Sequence, residues 1–174
     1  MILASVGTQL PFDRLIRAVD AWAIDRGRSD VIAQIGPSSY VPSGIEHFTF
    51  MEHDPFFALQ SRCSLMVSHA GMGSIITALE LGKPIIILAR DHTRNEHRNG
   101  HQLDTLRQFS NYPGIYAARD ETEVAALLDK SETLCAAPTI DGSAPREFVE
   151  NLAQYIQHSG PRRGRGLLKF LLRR

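Results

Sequence analysis

Between the apolar run Leu65 to Val67 and the helically spaced Ile75, Ile76 and Leu79, the chain carries Ser68-His69-Ala70-Gly71-Met72-Gly73-Ser74. Two glycines there leave backbone N–H groups bare at a helix start, where unsatisfied amides and the helix dipole favour an anion. The amides of Met72, Gly73 and Ser74, with the Ser74 hydroxyl, can therefore cradle a diphosphate. The same glycines equally suit a plain strand-to-helix turn that needs positive φ, and pattern alone leaves both readings open. Neither a Walker A sequence nor G-x-G-x-x-G occurs.

Other groups stand at loop positions of the same kind. Gly7-Thr8 ends the apolar run Ile2 to Val6, and His69 ends a strand, where backbone bonding and a pocket role are both open. Arg90, Arg94 and Arg98 follow the apolar run Pro84 to Leu88; they either add positive charge to a site or are solvated surface charge. His97 and His101 lie four apart beside Glu96, a spacing that suits zinc on a helix. The order is wrong for H-E-x-x-H and no third ligand is evident, so polar helix-face histidines are the preferred reading and no metal is expected. Asp13 reads as a cap or anchor of the first helix.

Alternating elements must position these groups. Ile2 to Val6, Val31 to Ile35, Phe48 to Met51, Leu65 to Val67, Pro84 to Leu88 and Ile115 to Ala117 read as short buried strands. Helical spacing starts at Phe12, at Asp54-Pro55 as N-cap and first helical position, at Ile75, at His97 through Phe109, near Glu121 to Lys130, and near Pro145 to His158. Strands alternating with helices predict an α/β fold, a Rossmann-like doubly wound parallel sheet. In such sheets ligands lie beyond the carboxyl ends of the strands, where the loops Gly7 to Pro11, Ser68 to Ser74 and Ala89 to Asn95 fall.

Size and charge agree with one folded domain. The chain has 174 residues, 43% apolar and 22% charged, with no apolar run long enough to span a bilayer. Cys63 and Cys135 form no C-x-x-C and follow no secretory leader, so reduced thiols in a cytoplasmic protein are expected. Residues 159–174 hold six cations and no acid, which leaves residues 1–158 with net charge −6. The expected organisation is a domain at 1–158 and a basic amphipathic tail at 159–174, able to press Leu167, Leu168 and Phe170 onto an anionic surface or simply to remain disordered. Nucleic acid is not an expected partner.

Three stretches in order, V-G-T-Q-L-P-F-D-R-L-I from Val6, S-H-A-G-M-G-S-I-I-T-A-L-E-L-G-K-P from Ser68 and E-H-R-N-G-H-Q from Glu96, resemble the family 28 glycosyltransferase C-terminal domain. This is the donor-binding half of MurG-like GT-B enzymes, and the likeness extends to PssE-type exopolysaccharide subunits and the small subunit of the dolichol-linked GlcNAc transferase. The resemblance implies a UDP-sugar as substrate rather than a cofactor, an inverting transfer to a lipid-linked acceptor, and a membrane-associated partner subunit carrying the acceptor site and the general base. With Met1 almost at the first strand, a split enzyme working at the cytoplasmic face of a membrane is expected. It also implies that Gly71, Met72, Gly73 and Ser74 face the diphosphate, that Gly7 and Thr8 close over it, and that His101 and Gln102 lie near the sugar or phosphates. His69 and Arg90 complete the candidate donor site. Relatives place an acid where this chain has Thr77, and Glu80 substitutes only if the helix register differs. The competing reading is a non-catalytic subunit that senses nucleotide-sugar or acts as a scaffold; a UDP-sugar epimerase of this architecture would need two such domains.

Overall fold

Six runs of three to five residues, most with no polar side chain until their carboxyl ends, are too short to stand alone and find their hydrogen bonds in one another. In the computed structural model, which describes residues 1–94, 96–98 and 100–139, they form one parallel sheet. The strands are β1 (Ile2–Ser5), β2 (Val31–Gln34), β3 (Glu46–Phe48), β4 (Leu65–His69), β5 (Ile85–Leu88) and β6 (Ile115–Ala118). Their spatial order is β3-β2-β1-β4-β5-β6. The helices are α1 (Asp13–Asp25), α2 (His53–Arg62), α3 (Met72–Glu80), α4 (His101–Phe109) and α5 (Glu121–Leu128), with a single 3₁₀ turn at His92–Arg94. The expected helix near 145–158, the boundary at 158 and the basic tail lie outside the described residues.

Alternation along each strand divides the core between two faces. Ala4, Val67, Ile86 and Leu88 pack under Leu15, Ile16, Val19 and Trp22 of α1 and Val124 and Leu128 of α5. Leu3, Met66, Ile85 and Ile87 pack under Ile75, Ala78 and Leu79 of α3, with Phe56 and Leu59 of α2 and Leu103 and Leu106 of α4 beside them. Each fully buried Leu or Ile contributes about 1.5–3 kcal/mol, so both faces are needed to hold a sheet of such short strands.

Two boundaries differ from the sequence expectation. The third strand is Glu46–Phe48, not Phe48 to Met51: its extent is set by pairing with β2, from Ile32↔Glu46 to Gln34↔Phe48. Past that register the Gly36 N–H still donates to the Thr49 carbonyl (3.0 Å), and Gly36 turns with φ 58°. The fourth helix begins at His101, not His97, because the Glu96 carboxylate is held by Arg14 Nε (2.9 Å) and by the Asp91 N–H (2.9 Å), which keeps that segment out of the helix. His97 and His101 therefore do not share a helix face. Among the described residues no helix is long and apolar enough to cross a membrane, and Cys63 is buried and Cys135 exposed, both free.

Candidate functional site

The chain runs outward from β1 to β2 and β3, then crosses back to β4 on the other side of β1. The loops leaving β1 and β4 thus diverge, and the crevice between them is the place where a doubly wound sheet takes ligand. Gly7 follows β1 with φ 75°, and Gly71 follows β4 as the N-cap of α3.

The glycines of this crevice have separate tasks. A Cβ at Gly71 would lie 2.3 Å from His69 Nε2, and one at Gly7 would lie 3.3 Å from His69 Cε1, so both make room for the imidazole. A Cβ at Gly36 would lie 2.6 Å from the Gly7 carbonyl oxygen, packing the turns after β1 and β2 against each other. Gly73 is different: nothing lies within 4 Å of where its side chain would stand. Neither Gly71 nor Gly73 has positive φ, so the turn reading that needs it does not account for them.

Helix α3 starts at Met72, earlier than the spacing suggested, which makes Met72, Gly73 and Ser74 its first turn. Gly71 has no side chain to cap it, and the amides of an uncapped first turn point outward as donors. The Ser68 hydroxyl sits 2.9 Å from both the Ser5 carbonyl oxygen and the Ser74 hydroxyl, tying that turn to the sheet.

Two cavities meet at Gly7 and Thr8. The larger, about 550 Å³, runs along α3 past Gly73, Ser74, Thr77 and Glu80 and reaches Gln34 and the aromatic rings of Phe50 and Phe57. The smaller, about 270 Å³, is lined by His69, Arg90, His97 and Gln102. Both lie at the carboxyl ends of the strands, one on each side of the β1 loop.

Arg90 is only 4% exposed, so the reading as solvated charge does not hold for it. One guanidinium nitrogen donates to the carbonyls of Val6 (2.5 Å) and Leu10 (2.6 Å), pinning the β1 loop from both ends, while Nε is buried with no partner among the described residues. Burial pushes its pKa down to about 10, against the pull of Glu96, and it remains charged at neutral pH. His69 is pushed down to about 4, first by burial, then by the charges of Arg90 and His97, with the Ser5 backbone acting the other way. The imidazole is neutral near pH 7. Gln102 accepts from the Arg90 N–H (3.0 Å) and lines the smaller cavity.

The remaining candidates fall elsewhere. His101 is exposed at the first position of α4, and Met72 is 45% exposed at the start of α3; neither is part of either lining. Arg94 is exposed and lies near Asp91 (3.9 Å) and Glu121 (3.7 Å). Asp13 anchors the chain after β2, accepting from Ser38 (2.6 Å) and from Ser39. Thr77 and Glu80 line the same cavity with no change of register. Sequence reasoning passed over Gln34, although a lone polar residue closing an apolar strand was a usable signal. It also passed over Arg14, which nothing in the pattern distinguishes from a surface cation.

Comparison with known proteins gives three findings. The sequence model of the glycosyltransferase family 28 C-terminal domain matches residues 1–138. The human protein described as UDP-N-acetylglucosamine transferase subunit ALG13 is 33% identical over 118 residues, covering 62% of this chain and 10% of its own. Its namesake from Eremothecium gossypii is 32% identical over 114 residues, 63% of this chain and 54% of its own. This chain thus spans a tenth to about half of the length of those relatives. Among solved structures, the solution structure of ALG13 superposes with a TM-score of 0.57 at 21% identity, over 87% of this chain and 93% of that one. The crystal structure of the glycotransferase of kitacinnamycin gives 0.53 at 14% identity, over 92% of this chain and 40% of its own. At these identities the structural likeness is one of fold.

Proposed function

The chain belongs to the glycosyltransferase family 28 C-terminal domain family, and from that membership we propose that it is the donor-binding subunit of a split, inverting glycosyltransferase. The reaction moves a sugar from a UDP-sugar to a lipid-linked acceptor in polysaccharide synthesis, at the cytoplasmic face of a membrane. The observation that carries this reading is the uncapped first turn of α3, opening at Gly73 onto a cavity whose other wall is the Gly7–Thr8 loop. The relatives' description as UDP-N-acetylglucosamine transferase subunits supports a UDP-sugar donor and puts UDP-N-acetylglucosamine first among candidates.

In this reading the diphosphate lies against the amides of Gly73 and Ser74, and the sugar extends toward His69, Arg90 and Gln102. As the glycosidic bond breaks, negative charge gathers on the departing UDP. Fixed N–H donors and a helix N-terminus meet that charge without reorganising, which lowers the barrier. Arg90, charged and locked to two carbonyls, adds a positive field and holds the β1 loop in place. Neutral His69 contributes shape and a polar ring rather than a proton acceptor of ordinary strength. The base that activates the acceptor hydroxyl is assigned to the partner subunit, along with the acceptor site.

The test is transfer from a panel of UDP-sugars to a lipid-linked acceptor, with the chain alone and co-expressed with its partner subunit. Activity is expected only for the pair. Strong transfer by the chain alone would remove the split-enzyme part of the proposal. A pair that binds no UDP-sugar would favour the non-catalytic subunit, for which Thr77 in place of an acid is the supporting feature.

A further inference from the structure

Arg90 sends a long side chain to the β1 loop, and the direction it takes is decided at its own Cα. Planar peptides leave φ and ψ as the soft angles there, so groups that fix the peptides on either side of Arg90 also fix where its guanidinium goes. Three side chains do this. The Ala89 carbonyl accepts from Arg14 (2.9 Å), the Arg90 N–H donates to Gln102 Oε1 (3.0 Å), and the Asp91 N–H donates to Glu96 (2.9 Å). Arg14 and Glu96 are themselves joined by two bonds of 2.9 Å. One ion pair thus holds a peptide on each side of Arg90.

The pair lines neither cavity of the crevice. Both side chains are 14% exposed, and a partly desolvated pair returns little net stability, while its two-pronged geometry is strongly directional. The Arg14 and Arg90 guanidiniums both lie over the Phe12 ring, at 5.1 and 5.3 Å, and Glu96 is the acid whose charge both feel. From Arg90 the bracing passes to the Val6 and Leu10 carbonyls, the two ends of the loop that walls the smaller cavity. His97, the next residue after Glu96, and Gln102 complete that lining with His69. The larger cavity shares Gly7 and Thr8 but is otherwise built from α2, α3 and the segment after β3, to which the pair makes no bond.

We propose that Arg14 and Glu96 are positioning residues for sugar specificity: by aiming Arg90 they set the shape of the smaller cavity, and so select between sugars without touching one. This rests on the donor-binding reading above and deepens it.

Calorimetric titration of UDP, UDP-N-acetylglucosamine and its C4 epimer UDP-N-acetylgalactosamine onto the whole chain, and onto Arg14→Lys, Glu96→Gln and the double variant, tests it. A lysine has one nitrogen and cannot span both Glu96 oxygens and the Ala89 carbonyl as the guanidinium fork does. The unaltered chain is expected to prefer one epimer by about tenfold or more, the worth of one good hydrogen bond. Each single variant should cut that preference by about threefold or more while its affinity for UDP stays within about twofold, which also shows that it folds. The double variant should lose no more than the worse single one, since the pair acts as a unit. Equal weakening toward UDP and both UDP-sugars would make the pair a support of the fold only and overturns the assignment, as does an epimer preference that neither single variant changes. Equal binding of the two epimers by the unaltered chain sinks this inference alone, whereas no binding of UDP or of either UDP-sugar sinks the donor-binding reading and this one with it.

Discussion

Gly71 and Gly73 look equivalent in the sequence, yet one missing side chain accommodates His69 and the other leaves open space. Gly73→Ala is therefore expected to fit, to stabilise the first turn of α3 by up to about 1 kcal/mol, and to weaken UDP binding roughly tenfold by holding the diphosphate off the amides. A thermal melt and a UDP titration on one preparation read both effects; unchanged affinity would take Gly73 out of the site. His69 gives a pH prediction. Its folded pKa of about 4 lies below the ordinary histidine value of 6.5, so between these values the unfolded chain holds more protons and stability falls as pH falls. The contribution is on the order of 1–3 kcal/mol, because the ring is not wholly shielded. Unfolding free energies of the parent and of His69→Gln, compared from pH 7 to 4, should converge toward acid by that amount. Gly73, Ser74 and Arg90 were singled out as candidates by residue type and position. That Arg90 is buried and bound to Val6 and Leu10 was not, since three arginines in a polar stretch look alike until a fold buries one.

At the scale of elements, strand positions were legible because apolar runs of four or five residues bounded by Gly or Pro can do little else in a parallel sheet. Ends set by long-range partners were not. The segment before α4 has helical spacing from His97, but Arg14 on α1 donates to both Glu96 oxygens and to the Ala89 carbonyl, each at 2.9 Å, and lies 3.4 Å from Glu121. This partly buried pair ties α1 to the loop that carries Arg90 and His97. Arg14→Ala is expected to cost about 2–3 kcal/mol, because it leaves Glu96 without its counter-charge. In a double-mutant cycle with Glu96→Ala the coupling should be about 1–3 kcal/mol. Additive losses in denaturant unfolding would mean that the pair does not act as a unit.

For the whole molecule, the β3-β2-β1-β4-β5-β6 order puts the outgoing loops of β1 and β4 on either side of a crevice, and a ligand there touches both halves of the sheet. UDP at one hundred times its dissociation constant should accordingly stabilise the chain by about 2.7 kcal/mol, moving the melting midpoint by roughly 5–10 °C; no movement in a scan with and without UDP would contradict a site in this crevice. Hydrophobic period, turn residues and three ordered motifs were enough, in the sequence itself, for a parallel α/β sheet and its family, because those features act between residues near one another in the chain. Only the tertiary structure decided that Gly71 serves His69, that Arg90 is interior, that His101 stands apart from both cavities, and that Gln34 lines the same cavity as Thr77 and Glu80. Those outcomes depend on which strands become neighbours, and on which side chains are then buried together, and neither is encoded in local spacing.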